Sequence, residues 1–219
     1  MAGYTTHSVF SLGKREVPHV RIVAGEWKGR RLLTPSQAHT RPTSGRVREA
    51  VFQILGPFFA GGVVLDLFAG SGAVAFEALS RGMERAVLVE SSPQALRVIR
   101  ENARLLGAEG RIRVISRPVE KATDLVVAGG PYDLVYADPP YAYPVERLAA
   151  LFAALVARGA LAPHVKIAVE RAARSGDEDF VRLRDALGGL SGEVRIRRFG
   201  DTAVWVVFAE PPSEAPDRS

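Results

Sequence analysis

The chain has no cysteine among its 219 residues. Disulfides, a thiolate nucleophile and a Cys-ligated zinc site are therefore excluded. Histidine is scarce as well: the four present are scattered, none in an HxxxH pair, so the sequence predicts no metal site. Long apolar runs are missing too. The best candidate, residues 148–157, is half the roughly 20 residues that a membrane span needs, so no membrane association is expected. Residues 1–20 lack the continuous apolar segment and cleavage site of a secretion signal, which points to a cytoplasmic protein. Acidic residues are sparse in one place. Residues 1–60 hold nine Lys and Arg against three Asp and Glu, whereas residues 61–219 hold twenty against twenty-one. The overall charge of +5 thus sits in the N-terminal quarter, a candidate footprint for a phosphate backbone.

What is present, at 47% apolar composition, is enough to bury a core. Residues 1–19 read as a polar, flexible leader. Two β-prone runs, 20–24 and 30–33, flank Gly25-Glu26-Trp27-Lys28-Gly29 and predict a hairpin. Thr43 or Ser44 can cap a helix with Val47, Val51, Ile54 and Leu55 on one face, stopped by Gly56-Pro57. From Gly61-Gly62 onward strands and helices alternate. Strands are expected at 63–68, 86–90, 111–115, 132–137, 165–170, 194–199 and 203–208. Helices are expected from Gly72 to Arg81, from Pro93 to Leu106, and after Pro144 with Leu148, Leu151, Phe152 and Leu155 inward. This pattern predicts an α/β fold with a doubly wound, mostly parallel seven-stranded sheet of Rossmann type, ending in an antiparallel edge. The expected divisions are a leader at 1–19, a basic hairpin-and-helix extension at 20–60, the sheet domain at 61–209 and a disordered Pro-rich tail at 210–219.

In such a sheet ligands bind at the carboxyl ends of the strands, so the residues that follow each strand carry the chemistry. After the first comes Asp66-Leu67-Phe68-Ala69-Gly70-Ser71-Gly72. Two glycines at this spacing allow a tight turn and a close ligand approach, which fits a nicotinamide dinucleotide or S-adenosylmethionine. Asp66 favours the second, because a carboxylate repels pyrophosphate and suits an ammonium and a sulfonium. Glu90, at the end of the second strand, can accept hydrogen bonds from both hydroxyls of a ribose, as either cofactor requires. The fourth strand runs into Asp138-Pro139-Pro140-Tyr141. Consecutive prolines stiffen this loop and remove backbone donors. The Asp138 carboxylate and the Pro139 carbonyl can then accept both N–H bonds of an exocyclic amine and aim its lone pair, while Tyr141 offers a ring for the base to stack on.

The pairing of Asp66–Gly72 with Asp138–Tyr141 resembles class I methyltransferases that act on amino groups of nucleic-acid bases. The N-terminal residues narrow the resemblance. Arg21 to Arg30 (RIVAGEWKGR), followed by Arg41-Pro42-Thr43 and Arg46-Val47-Arg48-Glu49, is similar to the bacterial 16S rRNA guanine-N2 methyltransferase family; so are Ala78 to Gly82, Val169-Glu170 and Gly200-Asp201-Thr202. The likeness spans about residues 20 to 209. It implies methyl transfer from S-adenosylmethionine to a guanine of ribosomal RNA, within a small subunit or its assembly intermediate, with no metal and no covalent enzyme intermediate. Asp66, Phe68, Gly70, Gly72 and Glu90 are expected to bind the cofactor, and Asp138, Pro139 and Tyr141 the target base. Lys28, Arg30, Arg31, Arg41 and Arg46 are the expected RNA contacts, and Arg48, which like Arg46 points away from Val47 and Val51, is open to RNA or cofactor-carboxylate contact. Arg117-Pro118 stands where the family often has an acid or amide near the adenine, and Ser44-Gly45 where it commonly has Thr-Asp. DPPY alone is shared with DNA adenine methyltransferases, although this chain offers no segment for an added target-recognition domain. An NAD-dependent dehydrogenase and a non-catalytic RNA-binding module are the other readings.

Overall fold

The computed structural model describes residues 19–35, 43–174, 177–188, 190 and 192–210. Apart from His19 and Glu210, the expected leader and tail lie outside the described residues, as does Arg41. Strands β1 (His19–Arg21) and β2 (Arg31–Leu33) pair antiparallel, and helix α1 (Thr43–Leu55) follows. The chain continues through β3 (Val63–Asp66), α2 (Ala73–Ser80), β4 (Arg85–Glu90), α3 (Pro93–Leu106), β5 (Ile112–Ser116), α4 (Thr123–Val127), β6 (Tyr132–Ala137), α5 (Val145–Ala157), β7 (Leu161–Ala172), α6 (Asp177–Ala186), β8 (Gly192–Phe199) and β9 (Thr202–Ala209). Among the described residues no helix is long and apolar enough to cross a membrane.

Strands β3 to β9 form one sheet in the order β5-β4-β3-β6-β7-β9-β8. β3 to β7 run parallel, and β9 is antiparallel to both β7 and β8. The order reverses at β3, whose neighbours are β4 and β6, and a cleft opens at such a switch point beyond the carboxyl ends of the strands. Because helices cover both faces, the central strands are buried throughout: all four residues of β3 are, and the core divides by side-chain alternation. Leu65, Val135 and Val169 join α4, α5 and α6 on one face, while Val64, Leu134 and Ala168 join α1, α2, α3 and the hairpin on the other. Helix α3 is bounded as the sequence predicts. Ser92 caps it, Pro93 opens it and Gly107, left-handed at φ 68°, ends it.

Three differences from the sequence expectation have physical causes. The hairpin strands are shorter than expected, because the amides of Val23 and Ala24 donate to Glu77 (2.8 and 3.1 Å) rather than across a ladder. Strand β7 is twice as long as expected, beginning at Leu161 and absorbing Pro163 at a register shift opposite Tyr132 and Leu134. Helix α6 carries only a thin apolar stripe, in which Phe180 meets Trp205 edge-on at 5.4 Å and Leu183 is buried, with Leu187 buried in the turn just after it.

The hairpin is fastened to the sheet domain by buried polar groups. The Glu77 side chain, 1% exposed, accepts from Arg81 Nε at 2.7 Å as well as from the two hairpin amides. Arg81 also donates to the Pro57 carbonyl. Ser80 Oγ accepts from the Trp27 amide and donates to the Ala24 carbonyl. Gly25 packs so closely that a Cβ there would lie 1.7 Å from the Ser80 carbonyl oxygen, at a φ of +84°. We expect Glu77→Ala to leave the Arg81 guanidinium buried without its counter-charge and to lower the unfolding free energy by about 3–5 kcal/mol. Urea titration measures this, and a loss below about 1 kcal/mol, the scale of an exposed pair, would count against it.

Candidate active site

Two adjoining hollows, of about 210 and 460 Å³, lie beyond the carboxyl ends of β3, β4 and β6. Phe68, Gly70 and Asp138 line both, so they form one cleft with a waist at these three residues. The larger hollow is bounded by Leu67, Val89, Glu90, Arg117 to Glu120, Pro139, Pro140 and Tyr143. The smaller is bounded by Asp66, Ser71, Tyr136, Glu170 and, from the N-terminal extension, Val20, Thr34, Pro35 and Arg48.

In the larger hollow Glu90 is held by three backbone amides. Gly70 donates to Oε2 at 2.8 Å, and Ser91 and Ser92 each donate to Oε1 at 2.7 Å. Its carboxylate is thereby fixed in orientation, with acceptor capacity left for a diol. Phe68 meets Tyr143 edge-on, with ring centroids 5.1 Å apart. Pro118 and Val119 supply the apolar wall, the segment to which the sequence assigned no side chain.

The glycine loop divides its two functions. At Gly70 a Cβ would meet nothing within 4 Å, and the residue lines both hollows, so here the backbone can approach a ligand closely. Gly72 lines neither. It sits at the N-cap of α2 with φ +78°, where a Cβ would lie 2.6 Å from the Phe76 ring. Helix packing, not ligand approach, is the reason for glycine at that position.

In the smaller hollow Asp66 is 2% exposed, and its Oδ2 has no hydrogen-bond partner. Burial pushes its carboxyl from the ordinary 3.8 up to about 7, with Asp138 and Glu90 adding to the rise and backbone hydrogen bonds from Ala75 and Phe68 opposing it. The Tyr136 hydroxyl donates to Glu170, and burial together with the Glu170 charge holds this phenol well above its usual pKa. Asp138 is exposed at the waist and Pro139 is buried beside it. The amide of Tyr143 donates to the Pro140 carbonyl at 2.8 Å, closing the loop as a turn. Tyr141 is 38% exposed on the rim loop and lines neither hollow, whereas Tyr143 does line the cleft. Tyr143 and Tyr136 escaped the sequence reading as site residues, whereas Arg48 stood in it as open to RNA or cofactor-carboxylate contact. A signal for the burial of Arg48 existed as well: it precedes Phe52 and Leu55, both buried, by four and seven residues on α1.

The basic residues of the extension are dispersed. Lys28 and Arg30 lie at the turn end of the hairpin, where Trp27 docks on Ser80 at the C-terminal end of α2, and Arg30 donates to the Leu105 carbonyl at 2.5 Å. Gly72 begins the same eight-residue helix, so that turn is about 12 Å from the glycine loop along the helix axis. Arg31 is exposed on β2, and Arg46 is exposed on the first turns of α1.

A family model described as conserved hypothetical protein 95 matches residues 20–212. The chain is 38% identical over 122 residues to a protein of Escherichia coli named ribosomal RNA small subunit methyltransferase D, covering 56% of this chain and 60% of that one. It is 36% identical over 123 residues to a candidate rRNA methyltransferase of Bacillus subtilis, covering 56% and 67%. The chain thus aligns with about two thirds or less of those relatives' lengths. A solved candidate methyltransferase of Escherichia coli superimposes with a TM-score of 0.71 at 30% identity, covering 89% of this chain and 100% of that one.

The position of Asp66 gives a test that needs no ligand. Its folded-state pKa is raised, so between about pH 4 and 7 the folded protein binds a proton that the unfolded chain has lost. Stability therefore falls as pH rises through that window, and the penalty is complete above pH 7. Asp66→Asn removes the penalty. The variant is expected to match the wild type near pH 4 and to exceed it at pH 8 by on the order of 4 kcal/mol, followed by denaturant unfolding across pH. A constant difference across the range would disprove the shift.

Proposed function

Since the chain belongs to the conserved hypothetical protein 95 family, we propose that it methylates the exocyclic N2 amine of a guanine in 16S rRNA of the small ribosomal subunit, using S-adenosylmethionine. The observation that carries this reading is the place of Asp138, exposed at the waist where the two hollows meet. The named relatives act on ribosomal RNA, which supports that substrate for this chain.

The residues present fit the cofactor. Glu90, fixed by three amides, faces the hollow that suits a nucleoside, with Pro118 and Val119 against the base and Gly70 allowing the chain to pass close. The unpartnered Oδ2 of Asp66 suits an ammonium in the other hollow. Bound S-adenosylmethionine supplies an electrophilic methyl carbon on a cationic sulfur. The protein positions the amine. Asp138 and the Pro139 carbonyl accept its two N–H bonds, which opposes delocalisation of the lone pair into the ring, and Asp138 takes the proton that the amine releases. The turn closed by Tyr143 and Pro140 keeps both acceptors in place, and Tyr141 on the rim stacks on a base that has left its helix. Lys28, Arg30, Arg31 and Arg46 contact RNA phosphates outside the cleft, and Arg41 completes the set proposed from the sequence.

Three experiments test this. Asp138→Asn is expected to bind S-adenosylhomocysteine as the wild type does while single-turnover methyl transfer falls by about two to three orders of magnitude. Purified small subunits, naked 16S rRNA and duplex DNA are offered to the same preparation, and N2-methylguanine is expected from the subunit. Methyladenine from the duplex, with none from RNA, would make it a DNA enzyme. Changing Lys28, Arg30 and Arg31 to Ala should weaken RNA binding and flatten its salt dependence, the slope falling by about 0.7 for each phosphate no longer neutralised. An unchanged slope would remove these residues from the interface.

A further inference from the structure

We propose that Arg48, reaching in from the N-terminal extension, binds the α-carboxylate of the cofactor, so that the hairpin and α1 complete the cofactor site. The inference rests on the S-adenosylmethionine reading above. Two residues that line the smaller hollow each hold a buried atom without a hydrogen-bond partner: the donor Arg48 Nε and the acceptor Asp66 Oδ2. They carry opposite charges. An α-amino-acid group satisfies both at once, its carboxylate accepting from Nε and its ammonium donating to Oδ2.

The charges on the wall agree with this. Asp66, Asp138 and Glu170 set three carboxylates around the hollow, and among the described residues Arg48 is the one cation lining it. The cofactor's two cationic centres suit the carboxylates, but its own carboxylate would be repelled anywhere except against Arg48. Arg48 is 7% exposed, and its guanidinium is anchored by a 2.8 Å bond from Nη2 to the Arg21 carbonyl. That bond explains why the side chain lies where it does and leaves Nε unused. Burial lowers the Arg48 pKa, and Glu77 and Tyr136 pull it back up. An arginine stays charged under such opposing influences, which makes it a dependable carboxylate partner.

The test compares three probes by calorimetry: S-adenosylhomocysteine, its methyl ester, which lacks the negative charge, and 5′-methylthioadenosine, which lacks the amino-acid group. The wild type should prefer the acid to the ester by about ten- to a hundredfold, the range of a charged hydrogen bond. Arg48→Gln should lose that preference, weakening the acid by the same factor and leaving 5′-methylthioadenosine unchanged; the two perturbations should not add. Arg48→Lys, which keeps the charge without the fork, should keep part of the preference. An equal affinity of the wild type for acid and ester overturns the proposal, as does a preference undiminished in Arg48→Gln. Equal weakening of all three probes would make Arg48 a structural prop and also overturn it. If the wild type bound none of the three, the cofactor reading itself would fall, an outcome distinct from these.

Discussion

The carboxylate of Glu77 is buried at the centre of a junction between chain segments about fifty residues apart. It takes hydrogen bonds from Val23, Ala24 and Arg81, and through Arg81 it also reaches the Pro57 carbonyl at the end of α1. A buried carboxylate is tolerable only when it is paired and hydrogen-bonded, so the site demands both the hairpin backbone and the Arg81 guanidinium. The docked hairpin then presents the Arg21 carbonyl to Arg48 and brings Val20, Thr34 and Pro35 to the cleft. Asn102 extends the same logic, joining both backbone groups of Leu33 to the Ser71 carbonyl in the glycine loop. One wall of the cleft therefore depends on contacts made well outside it.

Much of the architecture was legible because burial on both faces leaves a plain mark. The runs at β3 and β6 are apolar without alternation, as strands covered by helices on either side must be. Pro93 and Gly107 mark the ends of α3 by local backbone chemistry that tertiary contacts do not override. Helix α6 was illegible because most of its surface meets water, leaving Phe180, Leu183 and Leu187 as the signal within a charged segment. At the site, Asp66, Phe68, Gly70, Glu90, Asp138 and Pro139 could be read from their places after strand ends, and the structure brings them to one cleft.

Position-by-position reading failed where a residue's environment is made by something distant in sequence. Arg48 reads from the sequence as an arginine off the apolar face of an amphipathic helix, open to RNA or to a cofactor carboxylate, and it becomes a buried group because the hairpin carbonyl of Arg21 meets it. Gly72 fits a ligand-binding fingerprint, yet the atom that excludes a side chain there belongs to Phe76, one turn into the following helix. The positive charge of residues 1–60 suggested a single basic surface. Among the described residues folding separates it: one arginine is inside the cleft, one ties off the end of α3, and others face water on different elements.

The uneven sign of the smaller hollow has a consequence for turnover. Among the described residues Asp138, Glu170 and, once ionised, Asp66 stand against one guanidinium, a wall that attracts a cationic sulfur more than a neutral one. In the proposed reaction the sulfur is positive before methyl transfer and uncharged afterwards, while Asp66 and Glu170 keep their state and Asp138 has taken the proton from the amine. On that reading the same electrostatics that draw in the methyl donor hold its by-product less strongly. A preference for the charged donor over its neutral by-product is thus part of the charge pattern itself.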